Sequence, residues 1–125
     1  MGSRQDDNRF DLAIVGAGAA GQLAAIAAAE NGWRVALLEQ MPRAGMKLLA
    51  TGGGRANLTT LRDRAEIEVA FGRQGRFMGP ALERMSPDDL RELFARLGLA
   101  TIVDDQKRVY PASQRAADVQ AALWR

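Results

Sequence analysis

Phe10 to Glu39 reads FDLAIVGAGAAGQLAAIAAAENGWRVALLE. Phe10 to Val15 is a short, nearly continuous apolar run, the pattern of a strand buried on both faces of a parallel sheet. It leads straight into Gly16-Ala17-Gly18-Ala19-Ala20-Gly21 and then an alanine-rich stretch to Glu30 that reads as a helix, with Asn31-Gly32 as its stop signal. Arg34 to Glu39 (RVALLE) is a second apolar strand. A strand, helix and strand within about 30 residues form a βαβ unit with a right-handed crossover. The fold class read from this stretch is α/β, opening with the βαβ unit of a Rossmann-like domain.

A G-x-G-x-x-G spacing alone carries little, because a chain rich in Gly and Ala produces it by chance. Here it stands between a strand and a helix, and an acid closes the second strand 18 positions after the last glycine. Gly16 permits the tight turn, Gly18 lets the backbone approach a pyrophosphate, and Gly21 lets the helix pack close to the strand. The free N–H groups and positive dipole end of the helix then face the phosphates. Ala19 and Ala20 share that turn and are counted with it, although their side chains read as packing groups. Glu39 sits where a carboxylate accepts hydrogen bonds from an adenosine ribose and repels a 2′-phosphate, which favours FAD or NAD over NADP. The plain alternative is a glycine turn that binds nothing, with Glu39 a solvated strand end.

Beyond the second strand, Met41 to Thr60 reads MPRAGMKLLATGGGRANLTT. Three successive glycines lose much backbone entropy on ordering, so an ordered Gly52-Gly53-Gly54 marks backbone lying against something with no room for a Cβ. Arg55 and Asn57 follow at once. A loop presenting N–H groups, Lys47, Arg55 and Asn57 suits an anionic or carbonyl-rich partner such as a pyrophosphate or a flavin edge. Composition alone also allows a flexible linker.

The 125 residues contain no His and no Cys. Disulfides, Cys/His metal sites, thiol nucleophiles and His-dependent catalytic dyads are excluded, no metal site is expected, and no catalytic residue stands out. Chemistry near neutral pH therefore falls to a cofactor. The sequence pI of about 9.7 arises from 17 basic against 15 acidic residues with nothing titrating in between, and does not mark a nucleic-acid binder. Leu12 to Ala29 has roughly the length of a short membrane span, but Gly16, Gly18, Gly21 and Gln22 interrupt it. The preceding segment mixes Asp6 and Asp7 with Arg4 and Arg9, unlike a secretory signal. A cytoplasmic protein with neither membrane nor nucleic-acid partners is expected.

With Gly45-Met46-Lys47-Leu48-Leu49-Ala50-Thr51-Gly52-Gly53-Gly54-Arg55-Ala56-Asn57-Leu58-Thr59 added to the GAGAAG turn and Glu39, the chain resembles the BaiN-like flavoproteins. These are bacterial FAD-dependent oxidoreductases, also described as NAD(P)/FAD-dependent or aminoacetone-oxidase-like. The likeness continues through Phe71 to Phe77 (FGRQGRF), through Arg108-Val109-Tyr110-Pro111-Ala112-Ser113, and through Ala116, Asp118 and Val119. The resemblance implies an FAD cofactor with its pyrophosphate on Gly16, Gly18 and Gly21 and its ribose on Glu39. Lys47 and Thr51 to Asn57 would lie toward the flavin, and NADH or NADPH would serve as a reductant not encoded here. Two positions depart from the family: Ala56 stands where members usually carry Cys, and Thr60 where they carry Asn. A cysteine that takes part in the reaction would be lost here, whereas one that packs is replaced by another small residue.

The remainder reads as scaffold. Leu61 to Phe71 and Phe77 to Met85 have helical spacing, and Ser86-Pro87-Asp88-Asp89 starts a helix that stops at Gly98. Ala100 to Val103 and Arg108 to Tyr110 read as a short hairpin, and Ser113 as the cap of a last helix. Asp88/Asp89 and Asp104/Asp105 are assigned to cap and turn, and Tyr110 to packing. The expected organisation is a flexible N-terminus over residues 1–9, an FAD-binding βαβ unit with its GGGR loop over 10–60, and a helical segment with a hairpin over 61–125. One βαβ unit supplies two parallel strands where a doubly wound domain has about four or five. The expectation is therefore the amino-terminal part of a longer flavin-dependent oxidoreductase, completed by a missing C-terminal part or a partner chain, with a small-molecule substrate not identified. A non-enzymatic adenine-nucleotide-binding module and an FAD-dependent RNA-modifying protein remain as alternatives.

Overall fold

A computed structural model describes residues 9–125, so the expected flexible N-terminus lies, apart from Arg9, outside the described residues. The chain forms two compact units, the first ending at Lys47 and the second running from Leu48 to Arg125.

In the first unit, β1 (Leu12–Val15) pairs in parallel with β2 (Val35–Leu38), Leu12 opposite Val35 and Val15 opposite Leu38. The crossover is α1 (Ala19–Glu30), which packs on both strands. It ends where Asn31 and Gly32 direct the chain back: their N–H groups bond to the carbonyls of Ala28 and Ala29, and Gly32 takes φ +81°. The strands are not buried on both faces as their composition suggests, for Val15 is 86% and Leu38 53% exposed. Along β1 half-buried and exposed residues alternate, as expected when α1 covers one face of a two-stranded pair.

Helix α2 (Met46–Ala50) carries the boundary between the units, and in the second unit it runs into a 3-10 turn at Thr51–Gly54. There follow β3 (Thr59–Thr60), α3 (Arg64–Ala70), a 3-10 turn at Gly72–Gln74, α4 (Gly75–Arg84), α5 (Pro87–Arg96), β4 (Thr101–Val103), β5 (Arg108–Pro111) and α6 (Ala116–Trp124). The expected hairpin is β4–β5. It gains β3, which sequence reading missed, in an antiparallel sheet of order β3-β5-β4. Two residues are too short to show a period. Leu58 and Leu61 on either side donate to the Val109 and Lys107 carbonyls and hold β3 on the edge of β5. Val109, Tyr110, Leu93, Phe94, Leu99, Val119, Ala122 and Leu123 form the buried core.

The start of α5 is the expected one: Ser86 Oγ accepts from the Asp89 N–H at 3.1 Å while the Asp89 carboxylate accepts from the Ser86 N–H at 2.8 Å. Asp63 and Glu66 make the same reciprocal box at α3. Ser113 does not cap α6. Arg115 occupies the cap position with no side-chain bond, because Gln114, at φ +57°, donates to Pro111 O and closes the turn through the backbone. Among the described residues no helix is long and apolar enough to cross a membrane.

Candidate functional site

The glycine turn occupies the carboxyl end of β1, where open α/β sheets place their ligands. Gly16, at φ +97°, donates its N–H to Leu38 O at 2.7 Å and joins the turn to the end of β2. A Cβ on Gly21 would overlap Gly16 O, so the helix approaches the strand only because residue 21 has none. A Cβ on Gly18 would meet nothing within 4 Å. Gly18 is the N-cap of α1 and brings no side chain to the N–H groups of the first turn, which includes the exposed Ala19 and Ala20. The three glycines thus do different work: Gly16 turns, Gly21 admits the helix, and Gly18 leaves open space before an uncapped helix terminus.

Glu39 closes this region. Its two carboxylate oxygens accept from the Ala17 N–H at 2.8 Å and the Met41 N–H at 2.9 Å. Those bonds, Met41 first and Ala17 second, hold its pKa below the ordinary 4.5 against a small opposing effect of burial. A lowered folded-state value means that Glu39 stabilises the unit above the unfolded-state pKa and loses that contribution as pH falls through the folded one. The turn is accordingly expected to keep its geometry from pH 8 to pH 5, with Ala17 amide shifts constant over that range and moving only in stronger acid. Val15, Gly16, Leu38, Glu39 and Gln40 line an open cleft of about 440 Å³ at the ends of the two strands.

Two residues absent from the candidates read in the sequence hold this turn from behind. Gln22, 1% exposed, donates from Nε2 to Ala17 O at 2.9 Å and to Gly18 O at 3.4 Å. The Gly45 N–H also donates to Ala17 O, at 2.9 Å, from a residue at φ +70°. Gln22 carried a signal, since it is the one polar side chain within the alanine-rich run. Gly45 carried none that distinguishes it from other loop glycines. Lys47 lies exposed on α2.

The remaining candidates belong to the second unit. Gly52, Gly53 and Gly54 all have positive φ, at 57°, 64° and 84°. Only Gly52 is short of room, its Cβ position being 3.0 Å from Asn57 N and 3.6 Å from the Tyr110 ring. Gly53 and Gly54 face open space, so backbone conformation rather than crowding within the chain explains them. Thr51 Oγ1 donates to Leu48 O at 2.7 Å. Arg55 folds back, Nε bonding to Gly52 O at 3.2 Å and the guanidinium lying 4.7 Å from the centre of the Tyr110 ring. Asn57 is exposed. Tyr110 is 3% exposed and has the Arg108 guanidinium 5.7 Å from its centroid as well, so it serves as a packed platform beneath the loop.

Ala56 is fully buried, at φ +56°. Its methyl is enclosed by the protein, which gives this position a packing role. A thiol introduced as Ala56→Cys is expected to react with a disulfide reagent about a hundredfold more slowly than a free cysteine, as measured by thiol titration of the folded protein. The acidic pairs have structural partners. Asp88 lies 3.7 Å from Arg91, and Asp104 organises the hairpin turn by accepting from the N–H groups of Gln106 and Arg108 and from the Arg108 guanidinium.

Residues 10–125 match the family described as HI0933-like protein Rossmann domain. Over 114 residues the chain is 38% identical to the 3-dehydro-bile acid delta(4,6)-reductase of Clostridium scindens, a match covering 90% of this chain and 27% of that protein. Over 92 residues it is 37% identical to the ribosomal RNA dihydrouridine synthase of Escherichia coli, covering 74% of this chain and 22% of that protein. The matches thus span about a quarter of the length of these curated relatives.

Proposed function

This chain belongs to the HI0933-like Rossmann-domain family, and from that membership and the geometry of the turn we propose that its first unit binds the adenosine diphosphate half of FAD. The observation that carries the reading is the open space before Gly18 at an uncapped helix terminus, beside a carboxylate held ionised at the end of β2. The residues present fit the group. The N–H groups of Gly18, Ala19, Ala20 and Gly21 would hold the pyrophosphate, and Glu39, with lone pairs left after its two backbone bonds, would accept from the ribose hydroxyls. Lys47, in the same unit, is assigned to the same cofactor; in the second unit, Thr51 to Asn57 offers backbone N–H groups and the exposed Asn57 amide as a separate candidate.

FAD supplies a two-electron carrier between a nicotinamide reductant and a substrate. The names of both relatives denote hydrogen added across a carbon–carbon double bond, in a bile acid and in a uridine of ribosomal RNA. We read the activity as flavin-dependent reduction of such a bond. Choice of substrate is assigned to the greater part of each relative that lies outside the match. The chain's own role is to bind and orient the cofactor.

Calorimetric titration with FAD, ADP and FMN tests the binding reading. FAD and ADP are expected to bind and compete with each other, while FMN, which lacks the adenosine half, does not displace ADP. Absence of binding by both FAD and ADP overturns the reading, as does displacement of ADP by FMN. Glu39→Gln removes the charge and leaves one of the two backbone N–H groups facing an amide N–H, so FAD affinity is expected to fall about tenfold in the same titration.

A further inference from the structure

Among alanines and large apolar side chains on α1, one polar side chain is turned inward. Gln22 is 1% exposed, and a buried amide is retained at a cost unless its hydrogen bonds are made. Its Nε2 makes them to two consecutive carbonyls of the glycine turn, Ala17 O at 2.9 Å and Gly18 O at 3.4 Å. Across a trans peptide the C=O and N–H groups point in opposite directions. The Ala17 carbonyl shares its peptide plane with the Gly18 N–H, and the Gly18 carbonyl shares its plane with the Ala19 N–H. Drawing both carbonyls toward Gln22 therefore turns the Gly18 and Ala19 N–H groups away from it, and a Cβ on Gly18 would meet nothing within 4 Å.

The preceding peptide is held too. Glu39 Oε2 takes the Ala17 N–H at 2.8 Å, while on the Ala17–Gly18 peptide itself the Gly45 N–H adds a second donor to Ala17 O at 2.9 Å. Among the described residues the Gly18 carbonyl has its other bond from within α1, the helical one from Gln22 N at 3.0 Å.

We propose that Gln22 is a positioning residue for the diphosphate: its buried amide sets the two peptide planes whose N–H groups receive the phosphate oxygens. The proposal rests on the FAD reading above and deepens it. Gln22 touches no phosphate itself. It fixes donors before the ligand arrives, so less ordering remains to be done on binding.

The test compares the wild type with Gln22→Leu, which removes the donor at similar volume, and Gln22→Glu, which keeps the shape and replaces the donor with an acceptor. Three probes are titrated by calorimetry or NMR: FAD, ADP and adenosine. Adenosine shares the ribose and base contacts and lacks the phosphates. Both variants are expected to lose about tenfold in affinity for FAD and ADP, and less than about twofold for adenosine. Gln22→Glu is expected to match or exceed the loss of Gln22→Leu, because its carboxylate faces two carbonyls. Equal loss for all three probes would make Gln22 a merely structural residue and overturn the proposal. Unchanged ADP affinity in a folded variant would overturn it as well, leaving the FAD reading intact. Wild-type protein that binds neither FAD nor ADP removes both.

Discussion

Gly18→Val is expected to lose FAD and ADP binding by at least about a hundredfold while the protein keeps its fold. The expectation follows from two separate properties of the position. Gly18 has φ −74° and ψ −178°, extended backbone in which a β-branched residue is at ease, and its Cβ would meet no atom within 4 Å. Nothing in the folded chain therefore opposes valine. The same open space is where the pyrophosphate is assigned, and two γ-methyl groups there exclude a phosphate and shield the N–H groups behind it. Circular dichroism and thermal melting should match the wild type to within about 0.5 kcal/mol, while calorimetry with ADP shows no heat at concentrations that saturate the wild type. A variant that binds ADP as before would show that the phosphates lie elsewhere.

Much of this arrangement was legible in the chain because local rules and tertiary demands coincide there. The apolar run before the GAGAAG turn, the alanine helix and its Asn31-Gly32 stop each have a local cause; the observed β1 and β2 lie within the expected bounds, and α1 ends at Glu30 as expected but begins at Ala19, inside the glycine turn. The Ser86 cap was legible for the same reason, and the structure adds the reciprocal bond from the Ser86 N–H to the Asp89 carboxylate. What escaped depends on residues distant in sequence. The two-residue β3 exists because β5 offers it an edge, and Ser113 failed as a cap because a left-handed Gln114 closes that turn first.

The site shows the same division. Gly16 and Gly21 were readable because their roles follow from a motif whose spacing is set by backbone geometry, whereas the bonds of Glu39 to the Ala17 and Met41 N–H groups could not be read from it. Of the three successive glycines, Gly52 lacks room beside Asn57 N and Tyr110, while Gly53 and Gly54 take positive φ with no atom of the chain within 4 Å of a Cβ. Position 56 required the structure, since only burial distinguishes a packing methyl from the site of a working thiol. Gln22 was visible as an interruption of the alanine run, but its partners, two carbonyls four and five residues earlier, could not be read from it. A mid-helix glutamine normally faces water.

The companion to Gly18 is Gly21, where the smallest added side chain has the opposite effect. A Cβ on Gly21 would overlap Gly16 O and lie 3.2 Å from the carbonyl carbon, with Ile14 Cγ2 a further 3.5 Å neighbour. The obstacle is backbone, and it is backbone already engaged: the Gly16 N–H is bonded to Leu38 O, so residue 16 cannot yield without loosening the end of β2. Gly21→Ala must then move α1 away from β1, separating the helix from both strands on which it packs and stretching the Gln22 bonds to the turn. Helix propensity opposes this outcome, since alanine favours a helix interior over glycine by about 1 kcal/mol, so an isolated α1 would gain helicity. Overlap with fixed backbone outweighs that gain, and the expected net destabilisation is about 3 kcal/mol, measured by chemical denaturation as a lowered midpoint. ADP binding should fall in parallel with the folded fraction, whereas in Gly18→Val it falls with no change in the melt. If Gly21→Ala proved as stable as the wild type, the close approach of α1 to the turn would be refuted, and with it the reason for a third glycine in the motif.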